Sequence, residues 1–271
     1  MSMFDAELTS VALCWRLERR DGVAMGFTSH DRDLAREGLT YRAAPGMLPS
    51  AITLSGGFAA DALEVAGALT SAAISEGDLA AGRWDGAKVT IFAVDWEAPD
   101  AAAVPLARGE LGDVSLEGNG FTAQLRGPAA ALEQPVVEQT SPECRAQLGD
   151  KRCRVDLAAR VRTTRIVAVA DEDVIDVANA AAGNAYAYGR VRWISGANSG
   201  LEAAVLASAG TRLTLREPPH HPAAAGDWIE ITEGCDKRLA TCSGRFANAA
   251  NFRGEPHLPG MDLLTRYPGA S

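Results

Sequence analysis

The stretch SPECRAQLGDKRCRVD, residues 141–156, decides how the carboxy-terminal half of this chain folds. A second stretch, GCDKRLATCSGRF at residues 234–246, is built in the same way, with two cysteines among basic residues. Eight residues separate the cysteines of the first pair, six separate those of the second, and 81 residues lie between the pairs. The four cysteines are Cys144, Cys153, Cys235 and Cys242.

The region between the two pairs predicts a small β-barrel at about residues 163–232. Short runs of apolar and β-branched residues alternate there with turns rich in Gly, Asn and Pro, a spacing typical of small barrels. Because the first and last strands of a small closed sheet often lie side by side, we expect the two cysteine pairs to meet at one end of the barrel. Six strands are predicted, at residues 164–168, 174–177, 190–194, 201–206, 212–215 and 228–232.

The amino-terminal region, residues 1–135, is predicted to be a second, β-rich domain. Residues 8–17 and 23–28 form a hairpin pattern around Arg20-Asp21-Gly22. The run KVTIFAVDW at 88–96 is apolar on both faces, as in a buried central strand. Residues 106–116 and 121–125 predict a second hairpin around Glu117-Gly118-Asn119-Gly120.

Helical signals in this region are weak. Ser75 precedes two acidic residues in a pattern typical of a helix start, and nearby glycines keep the helix short. The run DALEVAGAL at 61–69 fits a helix by its alanine content and a strand by its alternation, so both remain open. Prolines at 128–142 indicate a domain border, and the second domain, residues 136–271, is expected to end in an irregular arm from residue 248.

Composition limits the function. The 271 residues carry 26 Lys and Arg against 35 Asp and Glu, a formal net charge of −9, which disfavours a general affinity for nucleic acid. The start lacks the zones of a secretory signal, and no apolar run approaches the ~20 residues that span a bilayer. We therefore expect synthesis in the cytoplasm and no membrane insertion.

Five cysteines are too sparse for a disulfide scaffold, so metal ligation is the hypothesis to test. Cys14 stands apart, on the strand face opposite Trp15, and we interpret it as a packing residue. Nearby cations would lower thiol pKa values and offset the negative charge of four thiolates. The sequence around the two pairs contains two acidic residues, Asp150 and Asp236, and seven basic ones. The basic residues are Arg145, Lys151, Arg152, Arg154, Lys237, Arg238 and Arg245. Zinc, an iron–sulfur cluster and four unconnected thiols all remain open on spacing alone.

The cysteine stretches resemble those of phage-like tail hub proteins, a family that includes gene-transfer-agent baseplate hubs and, more distantly, the tail-tip protein L of phage lambda. The resemblance lies in SPECRAQLGDKRCRVD and in GCDKRLATCSGRFANAANFRGEPHLPG at 234–260. It extends to GFTSHDRDL at 26–34 and to DALEVAGALTSAAISEGDLAAGRWDGA at 61–87, so it covers nearly the whole chain.

The resemblance implies a 4Fe–4S cluster on Cys144, Cys153, Cys235 and Cys242, with Zn as the alternative cofactor. It also implies a homotrimer at the distal end of a tail tube, between the distal tail protein and a tip or fibre-bearing protein. DNA would pass through an axial channel without specific binding. The expected fold is a β-rich hub domain followed by a small barrel closed by the cluster, and the expected place is a tail or phage-like particle.

Two rival functions remain: an iron–sulfur redox protein, or a zinc-stapled interaction module. A peptidoglycan hydrolase is a weaker third. The usual hydrolase, nucleotide and flavin signatures are absent from the sequence, so we expect a structural protein rather than an enzyme.

The remaining polar motifs have simpler interpretations. His30-Asp31-Arg32-Asp33 predicts a turn whose acids accept backbone hydrogen bonds. Pro218-Pro219-His220-His221-Pro222 predicts an exposed loop, and Asp171-Glu172-Asp173 a solvated hairpin. His257 is assigned to structural docking of the arm.

Overall fold

The computed structural model describes residues 10–43, 48–49, 62–68, 74–117, 120–127, 137–181 and 183–258. The chain divides into two compact units, Met1–Val136 and Val137–Ser271. Both are built mainly of β-strands, which confirms the predicted class. The turn at 118–119, most of the proline-rich border and the arm beyond residue 258 were also subjects of prediction and lie outside the described residues.

The described part of the first unit contains one nine-stranded sheet. Its strands pair antiparallel except for β2 and β4, which are parallel, and the spatial order is β3-β4-β2-β1-β7-β8-β9-β6-β5. The strands are β1 (Val11–Glu18), β2 (Ala24–Thr28), β3 (Leu34–Arg36), β4 (Leu39–Ala43), β5 (Leu48–Pro49), β6 (Ala62–Ala68), β7 (Lys88–Asp95), β8 (Val104–Glu117) and β9 (Gly120–Arg126).

Both predicted hairpins of this unit are confirmed. Strands β1 and β2 pair antiparallel, with Cys14 opposite Thr28, and β8 pairs with β9. The central strand β7 is buried on both faces, as its apolar sequence predicts. The ambiguous run at 61–69 is strand β6, which pairs along its length with β9.

Apolar side chains cover both faces of this sheet. On one face Trp15, Phe27 and Ile91 pack with Trp84 and Leu79. Leu79 lies in α1 (Glu76–Ala80), and the Ser75 hydroxyl caps that helix by accepting from the Asp78 N–H at 3.1 Å. The opposite face buries a second cluster, formed by Ala12, Cys14, Leu34, Tyr41, Phe92 and Val94. Cys14 is therefore a packing residue of the first unit, as predicted.

The second unit contains a closed barrel in the order β10-β11-β13-β12-β14. Its described strands number five, not the six predicted, because the segments expected at 201–206 and 212–215 are one continuous strand. The strands are β10 (Val161–Asp171), β11 (Val174–Ala181), β12 (Arg190–Trp193), β13 (Glu202–Leu215) and β14 (Trp228–Thr232). Gly210, read as a turn signal, adopts a φ of +59° and lies within β13, where the register with β11 shifts.

Alternate side chains of these strands fill the barrel. The interior holds eleven buried residues, among them Trp193, Ile166 and Ile231. At the end where β14 stops, the chain continues into α2 (Leu239–Gly244). Among the described residues no helix is long and apolar enough to cross a membrane.

Candidate four-cysteine site

Strands β10 and β14 bring the cysteine pairs to the same end of the barrel. The two strands pair antiparallel, with Val161 at the start of β10 opposite Thr232 at the end of β14. Cys144 and Cys153 lie in the chain that enters β10, and Cys235 and Cys242 lie in the chain that leaves β14. Neighbouring first and last strands therefore place the two pairs together, for the reason that the sequence suggested.

Direct hydrogen bonds join the two segments that carry the cysteines, residues 137–160 and 233–258. The Cys144 N–H donates to the Lys237 carbonyl at 2.9 Å, and the Arg145 N–H donates to the Arg253 carbonyl at 3.0 Å. The Glu255 N–H donates to the Ser141 carbonyl at 2.7 Å. These bonds span about a hundred residues of sequence and hold the two segments against each other.

An ion pair strengthens the same contact. The Arg145 guanidinium donates to both Glu255 carboxylate oxygens, at 2.6 and 2.8 Å, and the Ser141 N–H donates to Glu255 at 2.9 Å. These donors hold the pKa of Glu255 down to about 2, the Arg145 bonds being the largest cause. A fork of two parallel bonds is the strongest geometry for a guanidinium and a carboxylate, so this pair anchors the chain beyond α2.

Three of the cysteine sulfurs contact hydrogen-bonding groups of the chain that follows α2. The Arg253 N–H donates to the Cys144 sulfur at 3.4 Å, and the Asn248 side-chain amide donates to the Cys153 sulfur at 3.7 Å. The Cys242 thiol donates to the Asn248 carbonyl at 3.4 Å. Cys153 and Cys242 are buried, while Cys144 and Cys235 are half-buried. The four thiols are thus only partly shielded from solvent.

The thiols are close enough to influence each other electrostatically. Burial raises the pKa of the Cys242 thiol, and the negative charges of ionised Cys144, Cys235 and Cys153 raise it further. Burial also raises the pKa of Cys235, against a backbone hydrogen bond and the charge of Lys237, which lower it. Thiolates at these positions would repel one another, and a bound cationic group would relieve that repulsion.

The arrangement differs from a preformed single-ion site. Ligands of a zinc ion must converge to about 2.3 Å from one point, and no three His, Cys, Asp or Glu side chains within the described residues are grouped in that way. The donor set, four thiols with N–H donors close to the sulfurs of Cys144 and Cys153, has the chemistry of thiolate-bound metal centres.

The basic residues around the cysteines act differently from the prediction. Lys237 does act on Cys235, and its ammonium also donates to the Ala146 carbonyl at 2.5 Å. Three arginines, however, form ion pairs with glutamates. Arg145 pairs with Glu255, Arg152 with Glu138, and Arg245 with Glu233. Three of the seven basic residues are therefore paired with carboxylates, and of these pairs Arg145–Glu255 joins the two cysteine-bearing segments.

A second cluster of contacts attaches α2 to the barrel. Arg160, just before β10, and Arg245, just after α2, both bind Glu233, at 2.8 and 2.6 Å. Both guanidinium groups also lie over the Phe246 ring, 4.7 and 4.9 Å from its centroid. Gly234 permits the close approach of the neighbouring turn, because a Cβ there would lie 1.9 Å from the Ala187 carbonyl oxygen.

Backbone strain concentrates at the site. Arg154, Lys237 and Ala247 have φ between +50° and +64°, and these are three of the five non-glycine residues with positive φ in the described parts of the chain. Each such residue costs roughly 1–2 kcal/mol. Strain of this kind persists only where surrounding interactions hold it in place.

Two of the other polar motifs are a turn and a loop, as predicted, and the docking role assigned to His257 stays a prediction. His30 occupies a turn, where Asp33 accepts from the Ala43 N–H at 2.8 Å. The loop at 218–222 is held by Asn198, which exchanges two hydrogen bonds with the His221 backbone. His257 is exposed in a turn near the Glu255 anchor.

Sequence reasoning missed the residues that connect the cysteines. Asn248, Glu255 and Glu233 carried no signal, because their partners lie far away in sequence. Asn248 also has a local partner, because the Asn251 amide donates to the Asn248 Oδ1 at 2.7 Å.

Comparisons with known proteins agree with this division of the cysteines. A family model described as baseplate hub protein, N-terminal attachment domain, matches residues 1–156, which include the first pair. A second, described as phage conserved hypothetical protein BR0599, matches residues 184–262, which include the second pair. No curated protein matches the sequence.

A solved structure gives the likeness over the full length. A chain in a structure titled virion of native gene transfer agent particle is 38% identical, with a TM-score of 0.86, over 99% of this chain and 95% of that chain. The resemblance to hub proteins is thereby confirmed. The chain belongs to the family of baseplate hub proteins, whose N-terminal attachment domain matches more than half of its length.

Proposed function

We propose that this chain is a non-enzymatic hub that joins the distal tail tube of a phage-like particle to its tip protein and lines the path of DNA as a homotrimer. The observation that carries the proposal is the 38% identity over 99% of the chain to a component of a gene transfer agent virion. Assembly into a tail is the activity that such a component needs. A distal tail protein and a tip or fibre-bearing protein are the proposed neighbours.

The distribution of charge supports a passage for DNA that does not bind it. Residues 1–136 hold 19 Asp and Glu against 10 Lys and Arg, whereas residues 137–271 hold 16 of each. The whole net charge of −9 therefore belongs to the first unit. A lining that repels phosphate lets DNA slide, whereas a basic lining would retain it.

Particle assembly tests this part of the proposal. The tagged chain, expressed together with its tail genes, is expected to co-purify with tail particles and to show threefold density at the distal end of the tube by electron cryo-microscopy. A pool of free chain that never enters particles would contradict the hub role. Density of another symmetry would contradict the trimer alone.

We further propose that Cys144, Cys153, Cys235 and Cys242 hold a 4Fe–4S cluster, which supplies thiolate–iron bonds that cross-link the two segments. Four thiols brought together from both segments, and N–H donors to two of their sulfurs, support it. Tying segments 81 residues apart restricts the unfolded chain by about 4–5 kcal/mol if a disulfide of that loop length is the guide. The cluster would act as a staple.

Anaerobic purification followed by visible absorption and by iron and sulfide analysis tests the cluster. We expect a visible charge-transfer band and iron and inorganic sulfide in equal amounts. Zinc without a visible band would replace the cluster by a zinc staple and leave the hub proposal intact. A cluster that turns over electrons with a specific partner would favour the redox alternative.

A further inference from the structure

Asn248 stands between the two cysteine pairs. Its backbone N–H donates to the Cys242 carbonyl at 2.9 Å. Its side-chain Nδ2 reaches the other segment, where it lies 2.6 Å from the Cys153 carbonyl oxygen and 3.7 Å from the Cys153 sulfur. Since an amide nitrogen carries two hydrogens, it can donate to the oxygen and to the sulfur at the same time.

A neighbouring amide fixes the orientation of this side chain. The Asn251 Nδ2 donates to the Asn248 Oδ1 at 2.7 Å. With its oxygen held by that donor, the Asn248 amide keeps its nitrogen directed at Cys153. The contact is sheltered from water, because Cys153 is only 8% exposed and Asn248 itself is half-buried.

We infer that Asn248 is a positioning residue that raises the reduction potential of the four-cysteine centre through its hydrogen bond to the Cys153 sulfur. The inference rests on the proposed iron–sulfur cluster. A cysteine sulfur bound to iron keeps negative charge, and reduction of the cluster adds more. An N–H donor stabilises the more negative, reduced form, and hydrogen bonds to sulfur are among the features that set cluster potentials.

The test measures the midpoint potential of the anaerobically purified full-length chain in a redox titration followed by visible absorption and electron paramagnetic resonance. For Asn248→Ala we expect about a tenfold shift of the reduction equilibrium toward the oxidised form, which is about 59 mV lower for one electron. Asn251→Ala frees the amide to rotate and should shift the potential in the same direction by less.

A control variant separates this effect from general disturbance of the segment. Ser243 is exposed, and its hydroxyl donates only within its own turn, to the Ala240 carbonyl. Ser243→Ala should therefore leave the potential unchanged. A role of Asn248 that is merely structural would lower cluster content without a graded change of potential across the three variants.

The outcomes are distinct. A wild-type chain without iron overturns the proposed cluster itself. A wild-type cluster whose potential is the same in Asn248→Ala and Asn251→Ala overturns the role of Asn248 and leaves the cluster standing. If Asn248→Ala holds no cluster, Asn251→Ala decides: a lower potential supports the inference, and an unchanged one contradicts it.

Discussion

The barrel and the cysteine segments, residues 137–160 and 233–258, adjoin each other in sequence but are stabilised by different interactions. The barrel buries eleven apolar or aromatic side chains in one cluster. Among the described residues of the cysteine segments, the buried apolar side chains are Ala146, Cys153 and Cys242. The segments also carry three strained residues and little regular structure. Hydrophobic burial can stabilise the barrel, whereas the segments depend on polar contacts and, in the proposed hub, on the cluster as well.

This difference shows that a cross-link contributes most to stability in a region that buries little apolar area. Burial of apolar area is the main favourable term in folding, and a region without it must offset its chain entropy by other means. The Arg145–Glu255 pair and the backbone bonds between segments supply part of this. In the proposed hub, the thiolates supply the rest.

The largest effect is expected from removal of one ligand. Cys153→Ala should abolish cluster binding and release the cysteine segments, while the barrel keeps its core. Iron analysis and hydrogen exchange measure the two consequences. Cys14→Ala is the matched control, because Cys14 is also buried, in the sheet of the first unit. If Cys153→Ala retained iron, or if Cys14→Ala lost it, the ligand assignment would be wrong.

Removing apolar contacts from the barrel core should lower the stability of the barrel. Ile231 is 1% exposed inside the barrel, whereas Ile194 is 45% exposed. Ile231→Ala should reduce the free energy of unfolding by about 2–5 kcal/mol, and Ile194→Ala by about 0.5 kcal/mol. Denaturant titration measures both. Equal losses for the two variants would mean that the barrel is not held by its core.

The junction between the two regions is expected to tolerate no side chain at Gly234. Gly234→Ala places a Cβ against the Ala187 carbonyl and should destabilise the chain by about 1–3 kcal/mol. Gly244, at the end of α2, has open space around a Cβ, so Gly244→Ala should be neutral or stabilise by up to about 1 kcal/mol. Thermal unfolding compares the two; destabilisation by both would refute the close-packed junction.

The smallest expected effect is the change in stability at low pH that comes from Glu255. The pKa of Glu255 is about 2 in the folded chain against an ordinary value of 4.5. A lowered carboxyl pKa stabilises the fold above pH 4.5, and this contribution disappears as the pH falls toward 2. Glu255→Gln should therefore melt below the wild type at pH 7, with a difference that narrows between pH 4.5 and 2. A constant difference across that range would show that the charge of Glu255 contributes nothing.

Much of the fold followed from local patterns in the sequence. Both hairpins of the first unit, the central strand β7, the capped helix at Ser75 and the place of Cys14 were predicted from alternation and turn residues. The single strand β13 was not, because Gly210 does bend the chain locally but does so inside the strand, as at a bulge. Strand β6 was left open because its pairing with β9, a long-range contact, decides its structure.

The cysteines of the candidate site could be predicted from the sequence, but the contacts that hold their two segments together could not. The two cysteine pairs and the neighbouring barrel ends could be read from spacing. The ion pair of Arg145 with Glu255 joins residues 110 positions apart, and no local pattern indicates such a partner. The seven basic residues were taken as balancing the thiols, but Arg145, Arg152 and Arg245 pair with carboxylates instead.

Anomalous diffraction at the iron edge, from crystals of the full-length chain grown without oxygen, tests the central claim most directly. The account predicts one compact group of iron peaks, with the sulfurs of Cys144, Cys153, Cys235 and Cys242 each about 2.3 Å from one of them. The claim would be contradicted by four well-ordered cysteine sulfurs with no iron between them, or by iron held through other residues.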